Sequence, residues 1–209
     1  MLFLHLLPFP AAAWAAVVPQ AGTPTGELQS QNWAPANYSI VDTEWRGFAD
    51  FDKEHVFTGT IEDVIHQMRQ IKGAHFTPDF MLGPSSHAEN RSTNPLGTSL
   101  ESIECGGNGA NPGRIKQGIN YLHNLHDDVL CSNGAGPRNC GRISCSWNSG
   151  ISWCNEKTVP SDTFKCNMFA GYAQEILDNC AIYDENPRVS GANWDEDLAI
   201  TVLVAKASC

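Results

Sequence analysis

The chain has 209 residues, 42% of them hydrophobic, and a formal net charge of −10 at pH 7. That acidic excess argues against nucleic acid and anionic membrane as partners, because both require a basic footprint. Residues 1–104 carry 5 basic and 12 acidic side chains and no cysteine; residues 105–209 carry 8 basic, 11 acidic and all eight cysteines.

The chain opens MLFLHLLPFPAAAWAAVVPQ. Leu2 to Val18 are nearly all apolar, and Ala13-Trp14-Ala15 has the small-x-small form of a cleavage signal, so residues 1–15 are expected to be a secretory signal peptide. Pro8, Pro10 and the shortness of the run disfavour a spanning helix, and no later segment predicts stable membrane insertion. Secretion permits disulfides, and an even cysteine count suits a paired framework. The tightest spacings, Cys140-x4-Cys145 and Cys145-x8-Cys154, do not suit structural zinc. The sequons at Asn37 and Asn90 are acceptors for N-glycosylation in that route.

Residues 16–98 read as a low-complexity, partly helical acidic extension or propeptide. Residues 19–40 are rich in Gln, Pro, Thr, Gly, Ser and Asn and are expected to be loosely packed. One helix is predicted from Thr60, with Asp63 placed for a capping box and Gly73 as its stop. Ile61, Val64, Ile65, Met68 and Ile71 form its apolar stripe. The helix is too short to be stable alone, so it must pack on the core or belong to a propeptide that does. Residues 81–98 are Gly/Pro/Ser/Asn-rich and read as a linker.

Residues 99–209 read as a disulfide-rich core. Residues 99–105 form a short strand. Asn111-Pro112 opens a helix with Ile115, Ile119, Leu122 and Leu125 on one face. Residues 131–139 read as a loop. CGRISCSWNSGISWCN predicts a hairpin; with Ser149-Gly150 as its turn, Cys145 faces Cys154 at disulfide distance. A second helix is predicted over about 164–180, with Phe169, Tyr172, Ala173, Ile176 and Leu177 on one face. A loop with Asn186-Pro187 and Gly191 follows. The last strand, residues 198–205, is apolar on both faces and is expected to be central. The order β-α-β-β-α-β predicts an α+β fold of the split, ferredoxin-like kind, two helices on one face of an antiparallel sheet, stapled by disulfides.

IECGGNGANPGRIKQGINYL, GPRNCGRISCSWNSGISWCN, AQEILDNC and the apolar strand before Cys209 resemble a family of small fungal secreted cysteine-rich proteins, candidate effectors. The resemblance covers about residues 99–209, and Cys-Gly-Arg-Ile-Ser-Cys-Ser is its most specific block. More distantly, the order of elements is similar to the virus-encoded killer toxin of smut fungi, an α/β sandwich whose members inhibit competing fungi, with calcium-channel block the proposed mode. This chain lacks the basic character of that toxin. The resemblance implies the pairs Cys105–Cys180 and Cys140–Cys209, beside Cys145–Cys154 from the hairpin. Cys131 and Cys166 fall outside the six shared cysteines and are expected to join each other.

Other constellations point less far. His123 and His126 share a helix face, as two metal ligands would, but they also suit a polar helix end. Asp195-Glu196-Asp197, with Asp184-Glu185 upstream, lacks the ligand spacing of a calcium loop and reads as a solvated acidic loop. Gly106-Gly107-x-Gly109 lacks the Lys-Ser/Thr of a phosphate loop and reads as a strand-to-helix turn. No nucleophile elbow or His-Glu-x-x-His motif occurs, so no catalytic, cofactor or metal residue is assigned; an unpatterned secreted hydrolase is the third reading. Trp147, Trp153 and Trp194 are candidate exposed binding aromatics, with Trp147 and Trp153 on opposite faces of the hairpin.

The expectation is a secreted, extracellular, monomeric, non-enzymatic effector or killer-toxin-like protein. Its partner would be a cell-surface protein of a host or competitor. The alternative partner is a cell-wall glycan, in which case the chain is a glycan-binding module.

Overall fold

A computed structural model of the chain describes residues 38–81 and 103–209. The signal peptide, both sequon asparagines (Asn37 and Asn90) and all but the first residue of the expected linker lie outside the described residues.

The described residues form two sheets and three helices. The larger sheet has six strands: β1 (Ser39–Asp42), β4 (Ile103–Ala110), β6 (Asn139–Ser146), β7 (Ser149–Asn155), β9 (Val189–Asp195) and β10 (Ile200–Lys206). Their order is β1-β6-β7-β10-β9-β4, antiparallel except for the β1–β6 edge pair. The smaller sheet joins β2 (Glu44–Arg46), β3 (Phe57–Thr58), β5 (Leu130–Ser132) and β8 (Phe164–Lys165) in the order β3-β2-β5-β8. Both sheets therefore draw strands from the cysteine-free and the cysteine-bearing parts of the chain.

Helix α1 (Ile61–Lys72) begins with the full capping box, Thr60 and Asp63 bonding reciprocally, and Gly73 ends it by donating its N–H to the Arg69 carbonyl. Ile61, Val64, Ile65 and Met68 are buried; Ile71 is exposed and is not part of the stripe. Helix α2 (Pro112–His123) is capped by the Asn111 side chain, which accepts from Arg114 N–H. Ile115, Ile119, Leu122 and Leu125 are all buried. Helix α3 (Met168–Cys180) buries Phe169, Tyr172, Ala173, Ile176 and Leu177. It starts four residues later than expected, because residues 164–165 are taken by β8. The stripes of all three helices share one buried cluster with Ile143, Ile151, Trp153, Ile200, Val202 and Val204 of the large sheet. Its other face carries a small cluster of Cys140, Cys154 and Leu203, flanked by Tyr38, Ile40 and Ala192.

The fold is a mixture of α and β elements stapled by disulfides, but the strand order departs from the four-stranded split arrangement. A fifth core strand, β9, occupies residues expected to be loop, and it separates β4 from β10. Gly191 and Asn193 hid it. A side chain on Gly191 would meet the Cys180 sulfur at 3.0 Å and Ile176 at 3.1 Å, so the residue is glycine because α3 packs directly on the strand. Asn193 is buried and donates to Glu175 of α3 at 2.7 Å. The first core strand, described from residue 103, continues through the glycine run as a bulged strand, where a turn was expected. The expected 131–139 loop begins inside β5. Strand β10 lies between β7 and β9, flanked on both sides.

All eight cysteines are paired: Cys105–Cys180, Cys131–Cys166, Cys140–Cys154 and Cys145–Cys209. The pairs expected as Cys145–Cys154 and Cys140–Cys209 are exchanged. The cause is the hairpin register. The turn is Trp147-Asn148, so Cys145 faces Gly150; a bulge at Ile143 then shifts the ladder by one residue and brings Cys140 opposite Cys154. Among the described residues, no helix is long and apolar enough to cross a membrane.

Residues 38–81 share this core. Trp45 and Phe57 are fully enclosed, and the Trp45 indole donates to the Gly59 carbonyl at 2.8 Å. Glu62, at the start of α1, accepts from the Ser144 hydroxyl at 2.7 Å and the Cys145 N–H at 3.0 Å. Burial pushes its carboxyl above the usual glutamate range, against the pull of those hydrogen bonds.

Candidate functional site

The three candidate tryptophans are not brought together. Trp153 is fully buried; its ring stacks on Phe169 at 4.8 Å and meets Phe164 edge-on at 5.6 Å. It is a core residue and no binding aromatic. Trp194 is half-buried on the sheet face opposite the helices, level with Thr201 near the start of β10. Trp147 is 75% exposed. It sits at the tip of the β6–β7 turn rather than on a sheet face, at the far end of β10.

The backbone at Trp147 is unusual. Trp147 has φ 50° and its neighbour Asn148 φ 57°, the mirror-image turn that joins two twisted strands and favours Asn or Gly. Asparagine tolerates that region, whereas a bulky aromatic there is disfavoured by about 1–2 kcal/mol. Nothing in the packing repays this, because most of the indole is in solvent. Among the described residues the ring is oriented by the Arg114 guanidinium, 5.0 Å from the ring centroid, which covers part of one side of the ring.

The turn is nevertheless held firmly. The buried Ser149 hydroxyl donates to the Trp147 carbonyl at 3.3 Å and accepts the Asn111 N–H at 3.0 Å. Ala207 N–H donates to the Asn148 carbonyl. Helix α2, its cap and the C-terminal end of β10 thus fix the position of the exposed ring.

Beside it lies a cleft of about 430 Å³, built from three loops and one strand end. The β4–α2 junction supplies Asn108 and Asn111, the turn supplies Trp147 and Asn148, and the loop before β9 supplies Asn186 and Arg188. Lys206 ends β10 at its rim. Arg188 donates through Nη1 to both carboxylate oxygens of Asp184, at 2.9 and 3.1 Å, and to the Asn186 carbonyl. The Asn186 N–H, which donates to Asp184 at 2.9 Å, and then Arg188 hold the Asp184 carboxyl below the usual aspartate range. The side chain also lies over Gly109, where an added Cβ would come within 2.6 Å of the Arg188 Cβ. Tyr183, on the same loop, is 72% exposed.

The remaining candidates have structural partners. His126 lies beyond the end of α2, so it does not share a helix face with His123 as expected; it pairs with Asp79 at 3.1 Å and ties the loop after α2 to the short 3-10 turn Asp79–Met81. His123 ends α2. Asp195 is not a solvated loop residue: it accepts the Tyr172 hydroxyl at 2.6 Å and the Leu198 N–H at 2.9 Å. Burial, with Asp195 second, pushes the Tyr172 hydroxyl well above its usual range. Glu196 and Asp197 are exposed. Gly106 and Gly107 belong to the bulged part of β4.

The cleft was not legible as a unit in the sequence. Its residues are spread from 108 to 206 and meet only because β4, β7, β9 and β10 end on the same side. The one local signal was the turn: reading Trp147-Asn148 as its centre, with Asn in the second position, exposes the indole immediately.

Comparison with protein-family models, with characterised proteins and with solved structures finds no match.

Proposed function

We propose that this chain is a secreted, non-catalytic binding protein that acts outside the producing cell, as an effector or killer-toxin-like antagonist of a host or competitor. Its binding surface is the loop end around Trp147. One observation carries this reading: a large aromatic ring stands in solvent, on a backbone that disfavours it, in a turn locked by neighbouring elements. Residues that weaken local structure without a packing return mark functional positions. The four disulfides support an extracellular setting, where such bridges persist.

The test is calcium influx and viability of live plant and fungal cells treated with the oxidised secreted chain. The expected response disappears on reduction and is lost in Trp147→Asn. A response that survives the Trp147 change would move the surface elsewhere. No response from either kingdom at micromolar dose would discard the effector reading.

A second reading, a cell-wall glycan-binding module, is favoured by the cleft composition. An indole face beside several asparagine amides offers a stacking surface together with paired donors and acceptors for sugar hydroxyls.

A further inference from the structure

The charge of the Trp147 cleft is opposite to that of the chain. The protein carries a net charge of −10, yet among the described residues no carboxylate lines the cleft, while Arg188 and Lys206 do. A third cation, Arg114, stands over the indole. Lys206 is exposed at the rim. The Arg188 guanidinium is held in place by Asp184, the Asn186 carbonyl and the surface of Gly109, and these bonds use Nη1, not Nη2. Four asparagines complete the lining.

Each element selects for part of a ligand. An exposed indole stacks on a flat, weakly polar face such as the CH face of a pyranose ring. Carboxamides bond hydroxyl groups in both directions. Lys206, together with the Nη2 edge that Arg188 keeps outside its Asp184 pair, selects an anion, and a planar guanidinium matches a carboxylate. A cationic sugar would meet like charge. From this we infer that the cleft binds a carboxylated saccharide, a chain of uronic-acid units: a ring stacks on Trp147 and its carboxylate meets Lys206 and the Nη2 side of Arg188. This inference rests on the reading of the Trp147 end as the binding surface, and it replaces an unspecified target with a chemical class.

The experiment titrates the full oxidised chain with four oligosaccharides of matched length: α-1,4-galacturonate, cello-oligosaccharide, chito-oligosaccharide and its deacetylated cationic form. Heat and tryptophan fluorescence are recorded, and quenching by iodide reports the exposed indole. The galacturonate oligomer is expected to bind, protect the indole from iodide and weaken as salt rises. Lys206→Gln is expected to weaken it about tenfold, with an unchanged melting temperature showing that the variant is folded. Gly109→Ala, which displaces Arg188, should weaken it in the same direction.

Equal binding of the neutral oligosaccharides, with no effect of Lys206→Gln, would overturn the anionic class and leave the glycan module standing. Absence of binding in all four arms would overturn the inference; a cell response that still depends on Trp147 would then point to a protein target at the same surface.

Discussion

The seam between residues 38–81 and the disulfide-bearing part differs sharply from the Trp147 end. At the seam, each side chain acts to hold the fold. Trp45 and Phe57 are enclosed, α1 begins with a complete capping box, and Glu62 closes on Ser144 and Cys145. At the Trp147 end the choices run the other way: an aromatic ring is exposed, a turn holds it in a left-handed conformation, and cations gather in an acidic protein. The contrast separates residues kept for stability from residues kept for contact with something else.

Removing one side of the seam should have the largest effect. Residues 38–81 bury Trp45, Phe57, Ile61, Val64, Ile65, Met68 and Phe80 in the same cluster as the helices α2 and α3. At about 1.5–3 kcal/mol for each buried side chain, their loss matches or exceeds the whole stability of a typical domain, about 5–15 kcal/mol. A fragment of residues 98–209 should therefore show no cooperative thermal transition by circular dichroism, even with its disulfides formed. A sharp transition in that fragment would make the seam dispensable.

A single seam residue tests the same point less severely. Trp45→Ala should destabilise the protein by about 3–5 kcal/mol, read from urea unfolding of the oxidised chain. A change below about 1 kcal/mol would place Trp45 outside the cooperative core.

The smallest seam effect is a pH dependence. Burial raises the Glu62 carboxyl above its ordinary value of 4.5 in the folded state. The native state therefore holds this proton more tightly than the unfolded chain does. The Glu62 contribution is full below the ordinary value and is lost as pH rises through the raised, folded-state value. Glu62→Gln should flatten the fall in stability over that interval; an unaltered pH profile would show that Glu62 is not the titrating group.

Local order was well marked in the sequence, and long-range register was not. Thr60, Asp63 and Gly73 bracket α1, and Asn111-Pro112 starts α2, because caps are decided by a few adjacent residues. The hairpin register failed twice: the turn is Trp147-Asn148, not Ser149-Gly150, and one bulged residue, Ile143, shifts the ladder, a bulge leaving no distinctive residue pattern. The turn at Trp147-Asn148 in place of Ser149-Gly150 and that shift together exchanged two of the expected disulfides. Strand β9 was concealed because Gly191 and Asn193 answer to α3, a tertiary neighbour, rather than to strand propensity. The cleft needed the assembled strand ends before its asparagines and cations could be seen as neighbours.

The most direct test of the account is to substitute Trp147 by Asn and measure urea stability and cell response on the same preparation. Stability is expected to be unchanged or slightly raised, by up to about 1 kcal/mol as the left-handed turn is relieved, together with loss of the response. A loss of about 3 kcal/mol or more, or an undiminished response, would show that Trp147 belongs to the fold rather than to the binding surface.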